Sequence, residues 1–237
     1  MTGGLVITPI AGVPEIRPGD PLPTLIVDAA ADQGTPLLER DCIVVTQKIV
    51  SKAEGRLVSL EPHDLDARRE LIEQESRRIL RRRGDLVISE TEHGFVCANA
   101  GIDLSNVDDG SAALLPVDSD RSARDIRNAI RSRLGISVGI VVSDTFGRAW
   151  RRGLTDVAIG VAGLAGVVDL RGSTDSRGRE LHATEVAVAD EVAAAAELAM
   201  GKAAGIPAAI VRGLDPAWFR EATVSELIRP PAEDLFR

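Results

Sequence analysis

The chain contains no tyrosine, and aromatic residues make up only 3% of it. A surface that binds single-stranded nucleic acid by stacking bases on aromatic rings would have little to stack on. The net charge of −8 and the pI near 5.0 point the same way, because affinity for a polyphosphate backbone comes mainly from clustered lysine and arginine. Nucleic acid is therefore not an expected partner, while local basic patches remain available to small anions. Cys42 and Cys97 lie far apart with no CxxC pair, and the only histidines are His63, His93 and His182, so the ligand spacing of a structural zinc site is missing. Reduced thiols are expected. No apolar run reaches the length of a membrane span, and the N-terminus lacks the charged start and apolar centre of a signal peptide, so the expectation is a cytoplasmic chain without membrane contact.

No internal repeat, low-complexity linker or domain boundary is visible either, and the 237 residues read as a single domain, 1–237, with a C-terminal tail from about residue 214. What is present is a core of Val, Ile, Leu and Ala, with hydrophobic residues at 44% and charged residues at 27%. Strands are expected at Leu5–Ile10, Cys42–Gln47, Leu86–Thr91, Val138–Val142 and Ala208–Gly213, each β-branched or apolar. Helices are expected at Leu22–Ala31, Asp64–Arg83, Ser119–Leu134 and Thr184–Lys202. Gly135 marks the end of the third helix, and Gly205 with Pro207 the end of the fourth. Strands that alternate irregularly with helices, several of them wholly apolar, predict a mixed α/β fold of the α+β type, with a covered mixed sheet and flanking helices.

Three stretches carry chemistry. In the run from Val138 to Gly153, an apolar strand gives way to Ser143-Asp144-Thr145, followed by Arg148, Arg151 and Arg152 around Trp150. A carboxylate and two hydroxyls at a strand end suit a hard cation, and guanidinium forks suit phosphate or carboxylate. The bland alternative makes Asp144 and Thr145 a helix cap. In the run from Phe95 to Val107, Asn99, Gly101, Asp103, Ser105 and Asn106 place oxygen ligands and amide donors among small residues, or else form an Asx-turn loop. Lys52, in Val50-Ser51-Lys52-Ala53-Glu54-Gly55, would reach a nucleotide phosphate from a strand end, although no P-loop run surrounds it and a surface lysine is the simpler reading. The arginines at 77, 78 and 81–83 read as a solvated last helical turn.

Four segments in order, Gly12-Val13-Pro14-Glu15, Thr46–Gly55, His93–Asn106 and Ser143–Arg151, closely resemble the coenzyme F420-0:L-glutamate ligases in their stand-alone form. The resemblance runs from the first strand to about Gly213. It implies a GTP-dependent ligase that adds L-glutamate, through its α-amine, to the carboxylate of the lactyl-phosphate side chain of a deazaflavin coenzyme, and then adds further glutamates by γ-linkage. It further implies that Asp103 and Asp144, joined by Thr145, hold divalent cations, manganese or magnesium, with potassium as a further cation. Val13, Pro14, Glu15, Ile16, Gln47, Lys52 and Asn106 would contact GTP, together with Met200, Gly201 and Lys202 in a less distinct match. Asp144, Arg148 and Arg151 are the expected catalytic set, and a homodimer is the expected assembly. Gln47 stands where many members carry serine, and Lys202 where some carry glutamine. Two rival readings of the same residues are a metal-dependent phosphohydrolase and a non-enzymatic GTP-binding regulatory module.

Overall fold

The computed structural model describes residues 4–61, 63–105, 107 and 109–235. Asn106, expected to touch nucleotide, lies outside the described residues. In chain order the elements are β1 (Val6–Pro9), α1 (Leu22–Asp32), β2 (Cys42–Thr46), α2 (Gln47–Ala53), β3 (Leu57–Ser59), α3 (Leu65–Gln74), β4 (Ser76–Arg83), β5 (Leu86–Thr91) and β6 (Val96–Ala98). They continue with β7 (Ser111–Ala113), α4 (Ser119–Leu134), β8 (Gly139–Arg148), β9 (Arg151–Ala162), β10 (Val168–Asp169), β11 (Glu185–Val186), α5 (Val188–Met200) and β12 (Ala208–Arg212).

The central sheet has the order β1-β12-β2-β8-β9, with β2 and β8 parallel and the other neighbours antiparallel. The stretches 42–45, 140–142 and 208–211 of its inner strands are apolar because both faces are covered, and alternate residues go to different cores. Ile43, Val45, Ile140, Val142 and Ile210 pack with Leu22 and Ile26 of α1 and Ile126 and Ile130 of α4. Cys42, Val44, Val141, Ala209 and Val211 pack with Val192, Ala193 and Ala196 of α5. The mixed α/β architecture with a covered sheet is thus as the sequence indicates. Smaller sheets β3-β7, β4-β5-β6 and β10-β11 lie outside it, and α3 packs Ile72 against Val87 and Ala100.

Helix α4 spans the residues expected of it. Asp118 caps it by accepting from the Arg121 N–H at 2.8 Å, and Gly135 ends it at φ 72. The expected helix Asp64–Arg83 does not form as one unit. It stops at Gln74, and the arginine-rich half becomes β4, which pairs antiparallel with β5. The apolar spacing fits a helix, but the pairing offers more. Arg78 reaches Glu90 at 2.9 Å and Arg82 reaches Glu73 at 2.5 Å, while the exposed guanidiniums on this edge strand discourage pairing with another chain. Likewise, Thr184 to Ala187 precede α5 rather than opening it, since Glu185 and Val186 pair with Asp169 and Val168.

Residues 157–162, apolar around Gly160, form the inner half of β9. A side chain on Gly160 would overlap the Ser119 carbonyl, so α4 lies directly on the strand backbone there. The tail is pinned to the same edge. Val224, buried, donates its N–H to Asp120 at 3.0 Å, and Asp120 also accepts from Val161 N–H at 2.8 Å. Gly160→Ala should therefore destabilise the fold by about 1–3 kcal/mol through overpacking, read as a lowered denaturant midpoint at unchanged slope.

Candidate active site

Because β2 and β8 run parallel in register, Thr46 lies beside Ser143 and both chains reach the same end of the sheet together. Sites in such sheets form off the C-terminal strand ends. β2 turns at once into α2, with Gln47 as its first residue. The polar segment from Gln47 to Ala53 is therefore helical rather than the extension of a strand end. β8 does not stop at Ser143 as its sequence suggests. It continues to Arg148 because β9 pairs with it throughout, with the extra residue Ile159 taken up as a bulge. Asp144 and Thr145 are strand residues, and the helix-cap reading of them is wrong.

Alternation along the hairpin sends these residues to two faces. On one face Thr145 sits directly opposite Asp156. The buried Asp156 carboxylate accepts from the Ser143 hydroxyl at 3.1 Å, the Thr145 hydroxyl at 2.7 Å and the Lys202 ammonium at 2.6 Å. Lys202 also donates to the Thr145 hydroxyl and comes within 3.8 Å of Glu197.

On the other face the half-buried Asp144 lies among Cys97 and Asp103. Burial, reinforced by the Asp103 and Asp156 charges, pushes the Asp144 carboxyl up to about 7 against the opposing Thr145 N–H and Lys202. Burial and, secondarily, Asp144 push the Cys97 thiol up to about 12, which keeps it an inert thiol.

Asp103 is fixed by a backbone bridge to Ala113, 2.9 Å and 2.8 Å in the two directions. Asn99, Ala100 and Gly101 precede it at φ 50, 55 and 72, a strained run of left-handed residues in which a side chain at Gly101 would overlap Leu115. Burial disfavours the Asp103 charge, but hydrogen bonds from Lys48 and from the Ser105 hydroxyl and N–H outweigh it, so this carboxyl ionises below its ordinary range. Lys48 meets Asp103 at 2.9 Å and Ser105 at 2.8 Å.

Among the described residues, those expected to contact nucleotide lie on the loop before α1, on α2 and at the end of α5. The loop that carries Val13 and Pro14 is tied to α2 by a Glu15–Lys52 ion pair and by the Gly19 N–H on the Ala53 carbonyl at 2.8 Å, and Ile16 anchors it in the core. Lys52 is buried, not a surface lysine. Gln47 is buried as well. Its Oε1 accepts from Ser51 at 2.9 Å, whereas its Nε2 meets no hydrogen-bond partner among the described residues. Met200 and Gly201 end α5 beside Lys202, Met200 buried and Gly201 exposed. Arg148 and Arg151 stand apart, exposed at the hairpin tip, where Arg148 bonds the Arg152 carbonyl at 3.1 Å. At about 3.3 Å per residue, four positions separate Arg148 from Asp144 by roughly 13 Å along the strand.

Sequence reading missed Lys48 and Asp156. Lys48 was in view, inside the Thr46–Gly55 segment. Asp156 carried no local signal: the hairpin turns at Ala149 and Trp150, and a register shift between Gly147 and Arg148 sets Asp156 opposite Thr145.

Among the described residues no group of three or more His, Cys, Asp and Glu side chains makes a ready metal cage. The donor chemistry nonetheless fits a hard cation at Asp103 and Asp144: two carboxylates, one of them left short of positive charge by its neighbours.

A profile of the F420-0:gamma-glutamyl ligase family matches residues 12–213, most of the chain. The chain belongs to that family. It is similar to the coenzyme F420:L-glutamate ligase of Methanothermobacter thermautotrophicus, with 46% identity across 99% of both chains. The enzyme of the same name from Methanopyrus kandleri is 42% identical over 99% of this chain and 100% of its own, and that from Archaeoglobus fulgidus is 38% identical over 98% and 96%. Family membership makes this chain an enzyme of the ligase class, and the four motifs read from sequence fall within the matched span. No helix among the described residues is long and apolar enough to cross a membrane.

The Asp144 environment has a measurable cost. Its carboxyl titrates near 7 when folded and near the ordinary 3.8 when unfolded, so the unfolded chain releases that proton first. Between those values, rising pH should progressively destabilise the metal-free fold. Asp144→Asn should be more stable than the parent at pH 8, with the difference vanishing toward pH 4, as read by denaturant unfolding across that range.

Proposed function

We propose that this chain is the GTP-dependent ligase that joins L-glutamate to coenzyme F420-0 and then adds γ-linked glutamates, in coenzyme F420 biosynthesis, acting in the cytoplasm as a homodimer. The observation that carries the reading is the clustering of Asp103, Asp144 and Asp156 with Lys48 and Lys202 beyond the end of β2, along the β8–β9 hairpin, with the Glu15–Lys52 pair on the same helix as Lys48. Carboxylates and ammoniums interleaved in this way suit a substrate that brings both phosphates and a cation.

A carboxylate does not condense with an amine unaided. In the proposed course a carboxylate oxygen of the lactyl side chain attacks the γ-phosphorus of GTP, the bond to the β-phosphate oxygen breaks, and GDP leaves. The resulting acyl phosphate is attacked at carbon by the glutamate amine. Inorganic phosphate departs, the amine loses a proton, and the amide remains. Such transfer needs positioning and charge neutralisation more than covalent help from the protein. Asp103 and Asp144 would hold manganese or magnesium, which when bound would neutralise charge on the β- and γ-phosphates.

The remaining roles follow from where the side chains stand. The loop Val13–Ile16 would lie along the nucleotide with Lys52 aimed at its phosphates, and Glu15 would release the ammonium it holds. Gln47 Nε2, buried without a partner among the described residues, would donate to the nucleotide, and Met200 and Gly201 with Asn106 would complete its surroundings. Lys48 would move from Asp103 to phosphate when the cation arrives. Arg148 and Arg151, set back from the carboxylates, suit the acidic glutamyl end of the acceptor better than the transferring phosphoryl group.

Incubation with the deazaflavin precursor, GTP, glutamate and manganese should give products heavier by glutamyl units, with ATP a poor substitute. GTP hydrolysis without such products would favour a phosphohydrolase, and GTP binding without turnover a regulatory module. Asp144→Asn, which keeps the side chain's size, should abolish ligation in a folded protein. Lys52→Ala, losing one charge-assisted contact of about 1.5–3 kcal/mol, should weaken GTP binding roughly 10- to 100-fold in calorimetry while the protein stays folded. Unchanged affinity would make Lys52 a purely structural partner of Glu15.

A further inference from the structure

Lys202 does more than neutralise a neighbour. Its ammonium lies between Thr145 Oγ1, Asp156 Oδ1 and, at 3.8 Å, Glu197 Oε1, a set of oxygens of the kind that would otherwise surround a metal ion. The Asp156 carboxylate is largely committed there: Oδ2 accepts from Ser143, and Oδ1 accepts from both Thr145 and Lys202, which together take three of its roughly four lone pairs. Asp156 is 2% exposed, and the aliphatic stem of Lys202 extends from the end of α5, so the ammonium is delivered to a fixed acceptor. The opposite face of the hairpin differs. Lys48 touches only Oδ2 of Asp103, the other oxygen being held by Ser105, and among the described residues no ion pair engages Asp144.

We propose that the Lys202 ammonium is the resident cation of the Thr145–Asp156 side, so that the chain takes one divalent cation, at Asp103–Asp144, and itself supplies the charge that a second metal would bring to a bound triphosphate. Thr145 is then a ligand of the ammonium and not of a metal. A divalent ion placed on the same oxygens would meet a like charge within a few ångströms, and on Asp156 it would find both lone pairs of Oδ1 already engaged. The inference rests on the metal-assisted ligase reading above, but its test needs no turnover.

Manganese binding is counted by electron paramagnetic resonance after equilibrium dialysis, with a non-hydrolysable GTP analogue in excess. The parent protein should hold one Mn2+ per chain. Lys202→Gln, which removes the charge at a half-exposed position, should hold two. Lys202→Arg should keep the count at one, and adding Asp156→Asn to Lys202→Gln should return it to one. Two ions in the parent protein, or one in Lys202→Gln, overturn the proposal. An absence of Mn2+ from the parent protein would defeat the metal reading itself, a different result from either of these.

Discussion

Three aspartates within electrostatic reach of one another, two of them on a hairpin whose inner half is buried, impose a cost that the surrounding chain has to contain. Two of the three are relieved by the protein itself, Asp156 by Lys202 and two hydroxyls, Asp103 by Lys48 and Ser105. Asp144 is not relieved to the same degree, and its high carboxyl pKa is the record of that imbalance. The cost is concentrated where a polyanion and its counter-cation would later share the space. A site arranged in this way stays partly unsatisfied until its substrate arrives, which is the usual relation between local instability and binding.

The rest of the architecture keeps that cluster from relaxing. Because each inner strand sends alternate residues into two separate cores, β8 cannot rotate or slip without exposing one set of branched side chains. β9, an edge strand, would ordinarily be free to move, yet Asp190 accepts the Ala158 N–H at 2.9 Å and Asp120 joins Val161 to Val224 of the tail. Burial raises the carboxyl pKa of both aspartates, as expected of acidic groups enlisted to satisfy backbone donors away from water. The Thr145–Asp156 pairing is therefore held from outside as well as from within.

Much of this was legible in the sequence, for reasons that can be named. Helix α4 announces itself through its i+4 isoleucines and Gly135, both local signals. The apolar strands do the same, and the motifs around Asp103 and Asp144 were visible as segments. What was not legible depended on partners distant in sequence. Ser76–Arg83 has helical spacing and became a strand because β5 and the acidic residues Glu73 and Glu90 were available to it. Ser143-Asp144-Thr145 looked like the end of a strand because polar residues usually are, whereas β9 carried the pairing onward. Asp156 stayed hidden because its importance lies in Thr145 across the hairpin and Lys202 after α5, neither adjacent in sequence.

An acidic chain that handles acidic substrates has to localise its positive charge, and this one does so in two ways. Near the carboxylates the cations are lysines, Lys48, Lys52 and Lys202, each already paired with an acidic side chain. An ammonium on a flexible stem is a point charge that can leave one oxygen for another at little geometric cost, which suits a site that exchanges internal counter-ions for phosphates. At the hairpin tip the cations are arginines, exposed and fixed on the strands. Their planar forks favour carboxylates presented in one orientation, as a glutamyl group would be. The division between mobile ammoniums at the phosphate end and fixed guanidiniums farther out follows the order in which the proposed substrates would lie along β8, nucleotide first and glutamyl carboxylates beyond.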